Sequence, residues 1–396
     1  MKSIRKVLAL FLALVTMLTL IPLALGNESE VIEANSNELK LYSEICTPDI
    51  EAYATNEYMR FLVAASDNGS LDVPDVVSLG TPFTIAFSQS DTDVYYFPIL
   101  ADGSVIATFR VYIDRILSRN GNGNVYVGTL SPYFAKELND LSENEQTSPV
   151  LIFADGRKIM AYENNQIISL MTYGFDDEEI VISQNQNSRS SIEDTAISRS
   201  MSELIDYMRY APILSPFEEI ASLDFIAFQS EFPATRATVN LSLSIIETQG
   251  AVNWCGAYAT AIIIRYLNDS STAPTALGLM ELVYRRPVAS DSFSTANTTT
   301  VASFYGYSPT LVSSSIGSQT AFGEIGAGRP IYWIGDDKSN PSSRHAMVIR
   351  GYNTTTDTYS IWNPWYSYYE TMDMITKTYV TGSSRTYAWT ATMYGW

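Results

Sequence analysis

Short runs rich in Val, Ile, Tyr and Phe, each bounded by Gly, Asp, Ser or Asn, recur through the first half of the chain. This alternation of apolar and turn-forming residues predicts strands joined by tight turns. The dipeptide Asp102-Gly103 between two of the runs is a further hairpin signal. The predicted strands span residues 82–88, 94–100, 105–113, 124–130, 149–155 and 158–162, and helical patterns span 132–141 and 192–210. The pattern therefore predicts a β-rich unit in the first half of the chain.

The pattern changes after residue 237, where helical periodicity comes first and strand periodicity follows. Residues 253–267 place apolar side chains on nearly all sides of a helix, which is typical of a buried central helix. Further helices are predicted at 276–285, 297–305 and 318–327, and strands at 331–334, 345–352, 358–362, 366–372, 377–381 and 387–393. Helices followed by an antiparallel sheet predict an α+β domain of about 160 residues.

The charge of the chain divides at the same place. The 396 residues include 24 Lys plus Arg and 43 Asp plus Glu, for a net charge of -19. Residues 27–236 hold 12 basic and 33 acidic side chains, whereas residues 237–396 hold 9 and 10. Because so acidic a chain repels phosphate backbones and anionic lipid, we expect no nucleic-acid partner and no stable membrane association after signal cleavage. The contrast predicts two units with separate roles, one regulatory or disposable and one functional.

The start of the chain has the order of residues that export machinery reads. Basic residues are followed by an apolar run at 7–21 and by small residues that end at Gly26, which predicts a signal peptide cleaved after Gly26 and a secreted protein. An uncleaved anchor is the alternative, because the run could just span a bilayer. Two cysteines cannot form a disulfide framework. Cys46 is either a buried apolar residue or a disulfide partner that masks Cys255.

Cys255 is the first candidate for chemistry, because it lies where the buried helix is predicted to begin. The positive end of a helix dipole favours the thiolate, which is the nucleophilic form of cysteine. Gln249 lies six residues upstream on the loop that enters this helix. Its side-chain amide can point to the oxyanion that forms when a carbonyl is attacked, beside the backbone N–H of Cys255.

His345 is the only histidine of the chain, and it opens an apolar run that we interpret as a core strand. An imidazole held there can serve the thiol as general base and then serve the leaving group as general acid. Asn363 follows 18 residues later and can accept the other imidazole N–H, with Trp365 as a shield from water. So few Cys and His residues exclude a Cys/His zinc site, and the chemistry requires no metal or organic cofactor.

At these residues the sequence resembles the papain-like cysteine peptidases. The order Gln249, Cys255, His345, Asn363, the spacing of the first two, and the tryptophan two residues after the asparagine match that superfamily. The Trp-Cys pair and the strings His-Ala-Met-Val-Ile and Ile-Trp-Asn-Pro-Trp are most similar to its secreted bacterial branch, the staphopain-like enzymes. The resemblance covers roughly residues 243–394. It departs from the plant enzymes in lacking their Ser-Cys-Trp surroundings.

The resemblance implies a papain-like fold and a role for each of the four residues. By analogy Cys255 is the nucleophile, His345 the base and acid, Asn363 the orienting residue and Gln249 the oxyanion donor. The substrate is then a protein or peptide.

Combined with the charge division, the resemblance implies a secreted zymogen. Its predicted parts are a signal peptide at 1–26, an acidic β-rich pro-domain at 27–182, a linker and helix with processing sites at 183–236, and a papain-like catalytic domain at 237–396. The pro-domain is expected to inhibit the catalytic domain of its own chain. Cleavage is expected between residues 183 and 238, where Arg189, Arg199 and Arg236 are candidate sites.

Two other functions stay open on the sequence alone. A Cys-His-Asn amidase or a transglutaminase-type acyl transferase would use the same acyl-thioester intermediate. Alternatively, the acidic half is a binding module and the protein is a non-catalytic secreted binding protein.

Overall fold

The computed structural model describes residues 39–88, 94–119, 123–143, 148–155, 158–172, 200–230, 238–250 and 252–396. The predicted signal peptide, the three candidate processing arginines and the start of the helix predicted at 192–210 lie outside these residues. Residues Asn37–Trp396 form one compact unit. In the described part of the chain, no helix is both long and apolar enough to cross a bilayer.

The helices of the described residues are short apart from the first and the sixth. They are α1 Pro48–Asp67, α2 Arg115–Arg119, α3 Ala135–Glu143, α4 Met201–Tyr210, α5 Phe225–Ser230, α6 Cys255–Leu267, α7 Ala276–Tyr284, α8 Thr295–Phe304 and α9 Ser318–Gly326. The four helices predicted after residue 237 are present as α6 to α9, each with its ends within two residues of the prediction.

Helix α1 is not among the predictions, although it has 20 residues. Its start carries ordinary helix signals, with Pro48 at the first position and Asp49 and Glu51 in the first turn. Proline has a backbone angle that suits the first turn, and acidic residues favour the positive end of the helix dipole. Its buried face includes Ile50, Ala54, Tyr58, Phe61, Leu62 and Ala65, which recur at helical spacing. The N-terminal part is therefore less purely β than predicted.

The strands range in length from two to ten residues. They are β1 Leu41–Tyr42, β2 Val76–Gly80, β3 Val94–Ala101, β4 Ser104–Ile113, β5 Tyr126–Ser131, β6 Val150–Asp155, β7 Lys158–Glu163, β8 Gln166–Thr172, β9 Ile213–Leu214, β10 Glu219–Asp224, β11 Thr238–Asn240, β12 Thr310–Val312, β13 Ile331–Asp337, β14 Arg344–Asn353, β15 Thr358–Trp362, β16 Tyr369–Asp373, β17 Thr378–Val380 and β18 Thr386–Tyr394.

These strands form two sheets, of thirteen and five strands among the described residues. The larger sheet has the order β10-β2-β3-β4-β5-β16-β15-β14-β13-β18-β12, with β11 added to β14 and β17 to β18. The smaller sheet has the order β8-β7-β6-β1-β9. The pairs from β13 to β16 are antiparallel, as predicted for the second half of the chain. The fold is mixed α+β.

The larger sheet continues from the acidic part into the near-neutral part of the chain. Strand β5 pairs with β16, with Leu130 opposite Thr371 and Thr129 opposite Met372. Polar backbone groups of both strand edges are satisfied by this pairing. The acidic part and the near-neutral part of the chain therefore share one continuous sheet. The domain boundaries stay a prediction.

Helix α6 lies at the centre of the second half and packs on β14 and against α7 and α8. All its residues from Gly256 to Arg265 are buried. The helix and the strands β13 to β15 share one apolar core, which includes Ile262, Trp333, Val348 and Trp362. This packing gives the residues at the start of α6 and at the start of β14 a rigid support.

Candidate active site

The cysteine motif forms the junction between a loop and the buried helix α6, whose first residue is Cys255. The loop is held in place by Trp254, which donates its indole N–H to the carbonyl of Val288 at 3.2 Å. Gly256 approaches the carbonyl of Phe293 so closely that an added Cβ would lie 2.4 Å from its oxygen. Only glycine therefore lets the helix begin against this neighbouring loop.

His345 and Asn363 are brought together by neighbouring strands. Strand β14 carries His345, and β15 ends at Trp362, the residue before Asn363. Imidazole Nε2 and amide Oδ1 are 2.8 Å apart, and both side chains are buried. Because an amide oxygen can only accept, Nε2 carries the imidazole proton and Nδ1 is the basic nitrogen.

The cysteine and the histidine line the same cavity, which has a volume of about 540 Å³. Gln249 lines it too, so three of the four predicted residues share it, with the asparagine behind the imidazole. The backbone of Ala346, the residue after His345, forms a hydrogen bond with the Cys255 thiol. Ala154 of β6 also lines the cavity, so the acidic part of the chain contributes to its wall.

Burial determines the protonation of the cysteine and the histidine in this state. It raises the pKa of the Cys255 thiol above its ordinary value, and backbone hydrogen bonds from Ala346 and Gly256 only partly oppose it. The helix position therefore does not produce a thiolate here, contrary to the expectation from sequence. Burial also lowers the pKa of His345 to about 4, although the Asn363 hydrogen bond favours the charged form. Thiol and imidazole are therefore both neutral near pH 7.

Gln249 is anchored at both its backbone and its side chain. Its backbone N–H donates to the carbonyl of Pro364 at 2.7 Å, which links the cysteine loop to the residue after Asn363. Its Nε2 donates to the carbonyl of Val252 at 2.5 Å. An amide nitrogen has two hydrogens, so this arrangement leaves a second N–H for a group in the cavity.

Trp365 covers the imidazole, as the sequence predicted. The two rings stack with centroids 4.1 Å apart and planes 20° apart. The backbone N–H of Trp365 also donates to Asn363 Oδ1 at 3.1 Å. The indole therefore excludes water from the bond between His345 and Asn363.

Behind the asparagine lies a buried network that the sequence analysis did not identify. Asn363 Nδ2 donates to the hydroxyl of Tyr379 at 3.0 Å, and Tyr379 donates to the carboxylate of Glu370. Glu370 forms an ion pair with Arg110, and both side chains have 0% exposure. The only sequence signal was an acidic residue within an aromatic strand pattern, which gives no partner. The pairing of β5 with β16 brings the arginine to this strand.

The structure shows the state of both cysteines. Cys46 and Cys255 are both free thiols, so no disulfide masks Cys255 in this structure. Cys46 is partly buried and packs against the core beside α1. In the residues that the structure covers, no group of three His, Cys, Asp or Glu side chains could hold a metal ion.

Comparisons with known proteins point to a cysteine peptidase. Residues 236–392 match the model of the Peptidase_C39 like family. The chain is also similar to the extracellular cysteine protease of Staphylococcus epidermidis in two strains, with 22% identity over 362 residues in each case. The alignment covers 88% of this chain and 87% of the relative. It therefore extends beyond the family match into the acidic part of the chain.

Proposed function

Since the chain is a cysteine-type peptidase related to the papain-like enzymes, we propose that it is a secreted endopeptidase made as a zymogen. Its proposed catalytic residues are Cys255, His345, Asn363 and Gln249. The observation that carries the proposal is the shared cavity of thiol and imidazole, with Asn363 bonded to the far ring nitrogen at 2.8 Å. A nucleophile, a base and a group that orients the base are the parts that acyl transfer requires.

In the proposed reaction the sulfur of Cys255 attacks the carbonyl carbon of a peptide bond while its proton passes to His345 Nδ1. The carbonyl electron pair moves to the oxygen, which becomes an oxyanion. The imidazolium then gives its proton to the departing amine as the C–N bond breaks, leaving a thioester. Water activated by the neutral imidazole hydrolyses the thioester and regenerates the thiol.

Gln249 and the start of α6 are the proposed donors to the oxyanion. The second Nε2 hydrogen of Gln249 and the backbone N–H of Cys255 belong to the same cavity. Donors fixed before the reaction stabilise the developing charge without reorganising, which is a large contribution in such enzymes. The bonds to Val252 and Pro364 support this role by holding the glutamine in place.

We propose that the acidic part of the chain keeps the peptidase inactive before processing. Ala154 of the acidic part lines the cavity that also contains the proposed nucleophile. Burial also keeps the thiol and the imidazole neutral, whereas an open cleft would admit water and favour the thiolate-imidazolium pair. Cleavage between residues 183 and 238 would allow the acidic part to leave the cavity.

The direct test is hydrolysis of a denatured protein by the purified full-length chain, with and without prior processing. Release of new peptide termini is expected from the processed protein, and Cys255→Ala should abolish it. Cys46→Ala is the matched control, because it removes the other free thiol. Cleavage that persists in Cys255→Ala, or that is lost in Cys46→Ala with the fold intact, would contradict the proposed nucleophile.

The zymogen proposal has a separate test. The N-terminus of the active form is sequenced after secretion. A start between residues 183 and 238 agrees with the proposal, whereas an active form that always begins at Asn27 refutes it. Ammonia release from glutamine side chains without new peptide termini would favour the amidase or acyl-transferase alternative. A biological effect that is unchanged in Cys255→Ala would favour a binding protein.

A further inference from the structure

We propose that Arg385 selects protein substrates that carry an acidic side chain near the bond to be cut, by pairing its guanidinium with the substrate carboxylate in the cavity of Cys255 and His345. The inference rests on the proposed function, because it concerns the substrate of the proposed peptidase. It names a chemical class of substrate, which the Cys-His-Asn chemistry by itself does not specify.

The charge of the cavity wall is opposite to that of the chain. The chain has a net charge of -19. The described residues that line the cavity nevertheless include two arginines, Arg344 and Arg385, and no aspartate or glutamate. Because a cleft lined by one sign of charge concentrates ligands of the opposite sign, this wall favours a negative group beside the proposed nucleophile.

Arg385 is fixed at the end of a tight turn. Its backbone N–H donates to Thr381 Oγ1 at 3.0 Å, and its carbonyl accepts the backbone N–H of Thr381 at 2.8 Å. Thr381 has 0% exposure. Strand β18 begins at the next residue, Thr386, which pairs with Val380 of β17. The sheet therefore determines where the Arg385 backbone meets the cavity.

The guanidinium of Arg385 lies on the imidazole side of the cavity. It donates a hydrogen bond to the hydroxyl of Tyr387, which also lines the cavity. The ring of Tyr387 packs against that of His345, with the centroids 5.4 Å apart. Besides burial, the positive charge of Arg385 lowers the pKa of His345, so the two groups interact electrostatically. A carboxylate paired with Arg385 therefore lies beside the proposed base.

Arg344 lines the same cavity but is exposed, whereas Arg385 is half-buried. Arg344 Nε is 2.8 Å from Asp336 Oδ1, and the two residues lie opposite each other on β14 and β13. With 62% of the Arg344 side chain exposed, water screens its charge, and Asp336 offsets it. We therefore assign the main role to Arg385 and a smaller one to Arg344.

The chemistry of arginine favours a carboxylate partner. A guanidinium stays charged at any pH at which proteins are stable, and its planar N–H groups match the two oxygens of a carboxylate. Such charge-assisted pairs are stronger in a partly enclosed cavity than in open water. A carboxylate can come from an acidic side chain or from the C-terminus of a peptide. Since the proposed function is cleavage within a chain, the side chain is the source that we propose.

The first test compares two alkylating reagents of nearly equal size, iodoacetate with a carboxylate and neutral iodoacetamide. Full-length protein with Cys46→Ala has Cys255 as its single thiol. Both reagents attack the same thiolate, so the ratio of the iodoacetate rate to the iodoacetamide rate does not depend on the pKa of the thiol. Near neutral pH His345 is uncharged, so it does not attract iodoacetate. The ratio should exceed that of N-acetylcysteine amide, and Arg385→Gln should lower it about fivefold.

Three variants serve as comparisons. Arg385→Lys keeps the positive charge and should keep most of the ratio. Arg344→Gln should lower the ratio less than Arg385→Gln does. Arg286→Gln is the matched control, because Arg286 is exposed and does not line the cavity, and it should leave the ratio unchanged. If Arg385→Gln does not fold, Tyr387→Phe, which removes the hydroxyl that holds the guanidinium, should lower the ratio in its place.

The second test identifies the source of the carboxylate with processed enzyme. Peptides with blocked ends carry either Glu or Gln at one position, which is varied on both sides of the cut, and a further set carries Gln with a free C-terminal carboxylate. At the position read by Arg385, kcat/KM should be about tenfold higher for the Glu peptide than for the Gln peptide, and Arg385→Gln should remove the difference. A preference that follows the free C-terminus would refute the selection of an acidic side chain.

The two tests separate this inference from the proposed function. Alkylation requires only a reactive thiol, so the ratio measures the role of Arg385 even if no peptide is cut. An alkylation ratio that is the same in Arg385→Gln and the parent, or that falls equally in Arg286→Gln, would overturn the inference. Peptide cleavage with no preference for Glu at any position would also overturn it, while the proposed peptidase activity would stand.

Discussion

Acidification should destabilise the folded chain in part through the imidazole of His345. Burial lowers its pKa from 6.5 to about 4 in the folded state. Between these values the unfolded chain binds a proton that the folded chain does not, so stability falls as the pH falls from 6.5 towards 4. Above 6.5 the contribution is fully present. Each pKa unit corresponds to about 1.4 kcal/mol, so the whole loss amounts to about 3 kcal/mol.

The assay is urea unfolding followed by tryptophan fluorescence at about pH 7 and about pH 4.5, in a Cys255→Ala background that cannot cleave itself. His345→Gln is the comparison, because glutamine does not titrate and the many carboxylates affect both proteins alike. The protein with His345 should lose about 2.5 kcal/mol more between the two pH values than the glutamine variant. The difference in stability loss between the two proteins can be assigned to His345, because the chain has no other histidine.

Two substitutions test the causes of the lowered pKa in opposite directions. The Asn363 hydrogen bond raises the pKa of His345, so Asn363→Leu should lower it further, whereas the Arg385 charge lowers it, so Arg385→Gln should raise it. The NMR titration of the single imidazole measures both. If the stability of the histidine and glutamine proteins depends on pH in the same way, and the imidazole titrates near 6.5, burial does not lower the pKa of His345 and the reasoning is refuted.

Three further outcomes follow from the site. Gln249→Ala should raise the barrier by about 3 kcal/mol in processed enzyme, seen as a roughly hundredfold loss of kcat with little change in KM. Gly256→Ala should lower the melting temperature and the rate of hydrolysis, because its Cβ would lie 2.4 Å from a backbone carbonyl, whereas Gly323→Ala in α9, where an added Cβ meets nothing within 4 Å, should not. Trp365→Ala should admit water and raise the pKa of His345 towards its ordinary value, which NMR titration of the full-length chain detects. If Gly256→Ala and Gly323→Ala melt at the same temperature, the close contact of Gly256 with the carbonyl of Phe293 is contradicted. If the imidazole of Trp365→Ala titrates as in the parent protein, the shielding of His345 by Trp365 is contradicted.

The second half of the chain could be predicted from sequence because its signals are local. Helix α6 is apolar on almost every side, and the strands after residue 330 alternate or run apolar over their whole length. The relation to papain-like cysteine peptidases, first indicated by the order of Gln249, Cys255, His345 and Asn363, is supported by the family match and the staphylococcal relative. Residue types and their spacing were sufficient to indicate this relation, since only a few side chains can act as nucleophile, base or oxyanion donor.

Helix α1 was missed for a different reason. Its start signals are local and readable, but the surrounding strand patterns favoured a β-rich interpretation of the whole acidic part. The charge pattern likewise predicted a separate unit. The number of charged residues in a segment carries no information about which strand edges pair. The junction of β5 with β16 therefore could not be read from composition.

What the sequence determined by itself is the set of reactive groups and the elements that carry them. What only the tertiary structure decided is their protonation and their supports. The enclosed cavity keeps Cys255 and His345 neutral, because desolvation outweighs the helix position that favoured a thiolate. The pairing of Glu370 with an arginine 260 residues upstream likewise depends on long-range strand packing, which no local pattern encodes.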